Sequence, residues 1–240
     1  MTCTVHVCTS APGADASVLD WLDETERVRS DRLVLIEDRR RFVTSRTLLK
    51  AMVGQLSDTP PALVRLNYDC PVCGRSHGRP VVIEPQAAAR WYVSISHTDT
   101  LVMVAATVAG PVGVDIERIA ATGFDGFDQV ALTFRERTEV ERAAPTTQAW
   151  ARAVYWTRKE AILKATGRGL AVDPCLLEVS APHLPAALTA WRVDEPLAAP
   201  AQIIDVPVDD DHVAAVAVLA PGPCELVLLA TPASSGGQTG

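Results

Sequence analysis

The sequence predicts an α+β protein made of two halves. Three observations carry this. Helical periodicity over residues 37–55 gives way to strand-like runs up to residue 109. The same order, helices and then strands, returns between residues 126 and 219. Between the two lies a Gly110-Pro111 break, and segregated runs of this kind belong to α+β folds rather than to alternating βα units. The expected boundaries are residues 1–109, 110–230 and a tail at 231–240. No residue-by-residue repeat relates the two halves.

In the first half, Phe42, Ser45, Leu49, Met52 and Val53 recur at helical spacing, and no proline or glycine interrupts them before Gly54. Asp58-Thr59-Pro60-Pro61 ends that helix. Asn67 to Pro85 reads as a loop-rich stretch holding two cysteines, a histidine and Gly78-Arg79-Pro80. Strands are expected over 90–96 and 101–109, joined by the polar turn His97-Thr98-Asp99-Thr100, and, past the Gly110-Pro111 break, a third over 112–117. In the second half, helices are expected over 126–143 and 146–166. Strand-like segments follow at 176–179, 190–193, 202–204 and 212–219. Residues 231–240 have the composition of a disordered tail.

The 240 residues suffice to bury a sizeable core, and a net charge of -7 argues against wholesale binding to a nucleic-acid backbone. The start of the chain lacks a basic segment followed by an apolar one, and the apolar run from Leu101 to Val112 is too short to span a bilayer. The expectation is therefore a cytoplasmic protein, with no membrane partner, whose six cysteines are reduced. Against the acidic whole, residues 25–50 hold eight basic and four acidic side chains, a local excess suited to an anionic ligand or an acidic partner. A solvated helix face would account for the same residues.

Chemistry concentrates in a few places. Asp115 and Glu117 alternate with apolar residues, so on a strand both face one side. Side by side they repel, and a hard divalent cation, Mg2+ or Mn2+, would offset that. Glu160 and Lys164 stand one turn apart on a helix that also places Trp156 on the same face; such a pair is often only a surface ion pair. Lys159 points about 100° away, toward some other contact. Ser96 and His97, at a strand end, offer a hydroxyl and an imidazole to a phosphate. Neither a P-loop nor a Rossmann glycine pattern occurs, and Ser96 lacks the glycines of a nucleophile elbow. Cys70-Pro71-Val72-Cys73, with His77 after it, has the look of half a zinc knuckle, but no fourth ligand follows nearby, so zinc at Cys70, Cys73 and His77 is not expected.

Taken together these segments resemble the 4'-phosphopantetheinyl transferases, in particular the surfactin-synthetase-activating (Sfp-type) group. The resemblance rests on Gly113-Val114-Asp115-Ile116-Glu117, on Trp156-Thr157-Arg158-Lys159-Glu160-Ala161-Ile162-Leu163-Lys164, and on Gly167-Arg168-Gly169-Leu170. Gly78-Arg79-Pro80, Ser96-His97-Thr98 and Arg46-Thr47-Leu48-Leu49 stand upstream in matching order. It implies two similar α+β halves in a pseudo-two-fold arrangement, with coenzyme A bound between them. It implies a monomer that moves the 4'-phosphopantetheine arm of coenzyme A to a serine of an acyl, peptidyl or aryl carrier protein with an acidic recognition helix. Adenosine 3',5'-bisphosphate is released, and the setting is fatty-acid, polyketide or non-ribosomal-peptide biosynthesis. The implied roles are Mg2+ at Asp115, Glu117 and Glu160, general base at Glu160, and pyrophosphate contact at Lys164. Arg46, Arg79, Ser96 and His97 would hold the 3'-phosphate and adenine side. Two rival readings are another Mg2+-dependent enzyme acting on a nucleotide pyrophosphate, and a non-catalytic zinc-knuckle adaptor.

Overall fold

Val102 to Thr107 is buried at every position, which is possible only for a strand covered on both faces. That strand belongs to a six-stranded sheet seen in a computed structural model that describes residues 3–13, 16–70 and 73–231, without the side chains of residues 16, 17, 76 and 77. The described chain divides into two compact units. One comprises His6–Ala106 with residues from Val227 on, and the other comprises the residues up to Val5 with Thr107–Leu226.

The first unit runs β1 (Cys3–Ser10), α1 (Glu24–Asp31), α2 (Ile36–Ser57), β2 (Arg65–Asp69), β3 (Ser76–Glu84), β4 (Tyr92–His97) and β5 (Val102–Thr107). α1 starts on a reciprocal cap, Asp23 accepting from the Glu26 amide while Glu26 accepts from the Asp23 amide. α2 meets the helix expected at 37–55 and stops at Asp58, whose left-handed φ of 52° closes its last turn. Leu48, Leu49, Met52 and Val53 of α2 join Val82, Val93, Val102, Val104 and Ala106 of the sheet in one core. The stretch read as loop-rich, Asn67 to Pro85, is instead mostly the antiparallel pair β2–β3. Its turn is closed by the amide of Cys70 on Arg75 O and that of Gly74 on Cys70 O, both at 2.8 Å. The alternation that would have revealed these strands is interrupted by the turn residues. A β-carbon on Gly78 would stand 2.7 Å from Asp69 O, so only glycine allows the two backbones to approach this closely.

The second unit continues with β6 (Val112–Arg118), α3 (Phe127–Ala131), α4 (Phe134–Arg142), α5 (Pro145–Thr166), β7 (Leu177–Val179), β8 (Leu188–Trp191), β9 (Ala201–Asp205), β10 (His212–Leu219) and β11 (Cys224–Leu228). The single helix expected over 126–143 is two. Leu132 is extended, and Thr133 begins a new helix by capping the Glu136 amide while Glu136 reaches back to the Thr133 amide. α5 opens on Pro145, whose missing amide costs nothing there, and ends at Gly167 with φ 76°. The strands order β6-β10-β9 in a three-stranded antiparallel sheet, β7 pairs β8, and the large sheet orders β11-β1-β5-β4-β3-β2. Ala161, Ile162, Leu163 and Ala165 of α5 pack with Ala215, Ala217 and Leu219 of β10.

Two expectations change. Cys3 and Cys224, 221 residues apart in sequence, form a disulfide, so the six thiols are not all reduced. Their pairing follows from the neighbouring positions of β1 and β11 in the sheet, which no local pattern reveals. The tail expected at 231–240 falls, beyond Thr231, outside the described residues. No described helix is long and apolar enough to cross a membrane.

Candidate functional site

Gly113, Asp115 and Glu117 lie on one side of β6, facing α5. At Gly113 the helix comes so near that a β-carbon would stand 2.0 Å from Ala161 O and 2.5 Å from Ala165 N. Two residues on, Asp115 Oδ1 accepts from Lys164 Nζ at 2.6 Å. Two further, Glu117 Oε1 accepts from Trp156 Nε1 at 3.2 Å. Strand and helix thus run in opposite directions, with Glu160 one turn from Trp156 and one turn from Lys164. Register with β10, Asp115 opposite Ala215 and Glu117 opposite Val213, fixes the strand along its hydrogen-bonded edge.

The Glu160–Lys164 spacing, which often marks only a surface ion pair, serves other contacts here. Lys164 turns to Asp115 and to the Val114 carbonyl at 3.2 Å. Glu160 is 8% exposed, and its Oε1 is buried with no hydrogen-bond partner. Burial pushes the Glu160 carboxyl up to about 7, helped by the charge of Asp115 and then of Glu117, while Lys164 opposes. Burial likewise pushes Glu117 up to about 7, with Asp115 adding to it and Trp156 and Lys164 pulling back. Three carboxylates and one ammonium leave two negative charges in excess if all ionise, and every donor atom among the carboxylates is a hard oxygen. That donor set fits a divalent cation of the Mg2+ type. Among the described residues no three His, Cys, Asp or Glu side chains are drawn together closely enough to count as a formed metal site.

An apolar cavity of about 240 Å³ adjoins the carboxylates, lined by Phe124, Phe127, Val130, Ala131 and Trp156 with Glu117 at its edge. Phe127 meets Trp156 edge to face at 5.8 Å and Phe124 at 5.4 Å. Sequence reasoning missed these rings; Phe124 lies in the unpatterned link after β6, and Phe127 is the first residue of the short helix α3.

The other face of α5 is anchored by buried cations. Lys159, fully buried, pairs with Glu136 at 2.6 Å and donates to the carbonyls of Ala131 and Pro174 at 2.8 and 3.1 Å. Arg158, also fully buried, grips both carboxylate oxygens of Asp205 and the carbonyls of Ser180, Ala181 and Leu184. The separate contact expected for Lys159 is therefore Glu136.

The first unit carries the remaining expected residues. Arg46 is buried with its guanidinium 3.6 Å from the Tyr68 ring and 4.7 Å from the Phe42 ring, and its Nε is 3.9 Å from Glu26. Burial lowers its pKa, while Tyr68 and Glu26 raise it. It lines a cavity of about 490 Å³ together with Arg29, Arg65, Asn67 and Tyr68. Arg79, Ser96 and His97 are not part of that lining. Arg79 is half-buried on β3. Ser96 and His97 are consecutive on β4, so they face opposite sides of the sheet, Ser96 buried and His97 exposed. Cys70 and Cys73 flank the tight β2–β3 turn, and the side chain of His77 lies outside the described residues.

Comparison with known proteins adds to this geometry. Residues 111–217 match the profile of the 4'-phosphopantetheinyl transferase superfamily. Residues 14–109 match that of the 4'-phosphopantetheinyl transferase N-terminal region. The chain is 31% identical over 201 residues to the 4'-phosphopantetheinyl transferase HetI of Nostoc sp. (strain PCC 7120), covering 82% of this chain and 78% of that one. It is 24% identical over 152 residues to the slr0495 protein of Synechocystis sp. (strain PCC 6803), whose name assigns it provisionally to the 4'-phosphopantetheinyl transferases. That match covers 62% of this chain and 58% of the other.

Proposed function

This chain belongs to the 4'-phosphopantetheinyl transferase superfamily, and from that premise we propose that it transfers the 4'-phosphopantetheine arm of coenzyme A to a serine of an apo carrier protein through the carboxylates of β6 and α5. The carrying observation is Glu160. A carboxylate held near pKa 7, with one buried oxygen lacking a hydrogen-bond partner, is matched to taking a proton at neutral pH. In this reading Glu160 accepts the proton of the carrier serine as its hydroxyl oxygen bonds to the phosphorus bearing the pantetheine. The bond from that phosphorus to the departing oxygen breaks, and adenosine 3',5'-bisphosphate leaves. Lys164 offsets charge growing on the pyrophosphate.

Asp115, Glu117 and Glu160 would hold Mg2+, or Mn2+, which supplies charge neutralisation at the pyrophosphate oxygens. The excess of carboxylates over cations around α5 supports that ligand set. Arg46, Arg79, Ser96 and His97 would bind the 3'-phosphate and adenine side of coenzyme A. The order of motifs, from Arg46 through Gly167, supports placement in the surfactin-synthetase-activating group, acting as a cytoplasmic monomer on polyketide, fatty-acid or non-ribosomal-peptide carriers. The test is to incubate the purified protein with coenzyme A and Mg2+ and a panel of apo carrier domains. A mass gain of one phosphopantetheine arm on at least one carrier, lost with Glu160→Gln, is expected. Transfer that survives both chelation and Glu160→Gln would sink the reading.

A further inference from the structure

The chemistry proposed for α5 requires its rotation about its own axis to be fixed. Glu160 and Lys159 are neighbours, about 100° apart round the helix. A carboxylate roughly 6 Å from a helix axis moves by ~1 Å when the helix rolls by about 10°. A displacement of that size at a reacting group is enough to cost ~100-fold in rate. Ala161, Leu163 and Ala165 give apolar surfaces without direction, so the roll is left to directional bonds: those of Arg158 hold α5 to Asp205 and residues 180–184, those of Arg152 hold it to Asp128, and those of Lys159 hold it to Glu136.

Of these bonds, we propose that the buried Glu136–Lys159 pair, at the residue next to Glu160, is a positioning device that fixes the roll of α5 and so aims Glu160 at Asp115 and Glu117. The inference rests on the reading of Glu160 given above. Glu136 is 1% exposed and Lys159 fully buried. Every polar atom of the pair is engaged in a fixed direction. Lys159 Nζ meets Glu136 Oε2 at 2.6 Å, Ala131 O at 2.8 Å and Pro174 O at 3.1 Å. Glu136 Oε2 also accepts from the Thr133 amide at 2.8 Å, and its Oε1 accepts from the Val179 amide at 3.0 Å. One ammonium thus ties α5 to the end of α3, the start of α4, the turn at Pro174 and, through Glu136, to β7. A buried ion pair is a poor source of stability, since apolar residues of the same volume serve as well or better. What an apolar pair lacks is direction, and direction is what Glu160 requires. The pair acts through Glu160 and touches no substrate.

Two variants test this. Glu136→Asp keeps both charges, so Lys159 stays paired, but draws the carboxylate back by one methylene. Glu136→Gln combined with Lys159→Met removes both charges and leaves neither buried alone. For each, melting temperature, kcat, KM for coenzyme A and the Mg2+ concentration giving half-maximal transfer are measured. The expected result is turnover reduced about tenfold and the Mg2+ requirement raised about tenfold, with coenzyme A KM within roughly twofold of the parent and melting little changed, the pattern of a supporting shell around a metal site. Parent-like turnover and Mg2+ dependence in either folded variant would overturn the proposal. A loss of turnover that only tracks a lower melting temperature, with KM rising alongside, would overturn it too. Glu160→Gln serves as the control. Full transfer there removes the underlying reading, whereas loss there with a normal Glu136→Asp enzyme removes the positioning role alone.

Discussion

Gly113 approaches Ala161 so closely that a single added methyl on the strand would sit 2.0 Å from the helix carbonyl oxygen. The contact is backbone to backbone, so no side chain can rotate away to relieve it. Gly113→Ala must push α5 off β6, separating Glu160 from Asp115 and Glu117. Overpacking of this kind costs about 1–3 kcal/mol. The expected outcome is a lower melting temperature together with transfer reduced at least tenfold, because about 1 Å of helix displacement suffices for that. Unchanged melting would refute the close approach.

The carboxylates make a second prediction, on pH. In folded protein Glu117 and Glu160 titrate near 7, above the ordinary value of 4.5. Folding therefore favours their protonated forms. Their contribution to stability is full below about pH 4.5 and is lost as pH rises through about 7. In chelator-treated protein, melting should fall between pH 5 and 8, with each group contributing on the order of 1–3 kcal/mol. Glu160→Gln should flatten that slope and melt higher than the parent at pH 8. A parent protein whose melting rises over this range would contradict the assignment.

Mg2+ should reverse the effect. Binding requires ionised carboxylates, so at pH 7 it should expel roughly one proton. Calorimetry in two buffers of different ionisation enthalpy reads that proton directly. Equal heats in both would argue against binding at these carboxylates.

Arg46 separates two roles. Its guanidinium lies between the rings of Phe42 and Tyr68, and lysine cannot reproduce that planar stacking. Arg46→Lys should lower melting by about 1–2 kcal/mol. If Arg46 also binds coenzyme A, as proposed, the KM for coenzyme A should rise several-fold. Lowered melting with an unaltered KM would make the residue structural only.

Peptide mapping of unreduced protein should recover Cys3 and Cys224 joined. Reducing agent should then lower melting by a few kcal/mol (~2–4). Separate peptides from unreduced protein would count against the bridge.

Periodicity made some of this legible. α2 was visible because its apolar residues repeat over many turns, and β10 because it is an unbroken apolar run after His212; the Asp115–Glu117 and Glu160–Lys164 spacings place those side chains on faces from sequence alone. What sequence concealed was pairing at a distance. Lys164 chose Asp115, 49 positions away, over Glu160 at one turn. Glu136 and Thr133 cap one another and divide the single helix expected over 126–143, a pairing that helical periodicity does not show. β2 and β3 were hidden because Gly74 and Gly78-Arg79-Pro80 interrupt the apolar alternation. Arg46 read as part of a basic patch, since nothing local says that Phe42 and Tyr68 enclose it.

The strand order of the large sheet carries one more consequence, for synthesis. β1 takes its place between β5 and β11, both far from it along the chain. On a ribosome that strand can gain its inner neighbour once residue 107 has emerged, but its outer edge stays open until β11 has emerged as well. The two units also exchange terminal segments, one owning the residues up to Val5 and the other those from Val227. Genes split at residue 107 would therefore yield fragments each missing part of its own fold, and co-expressing them should restore protein that neither fragment gives alone.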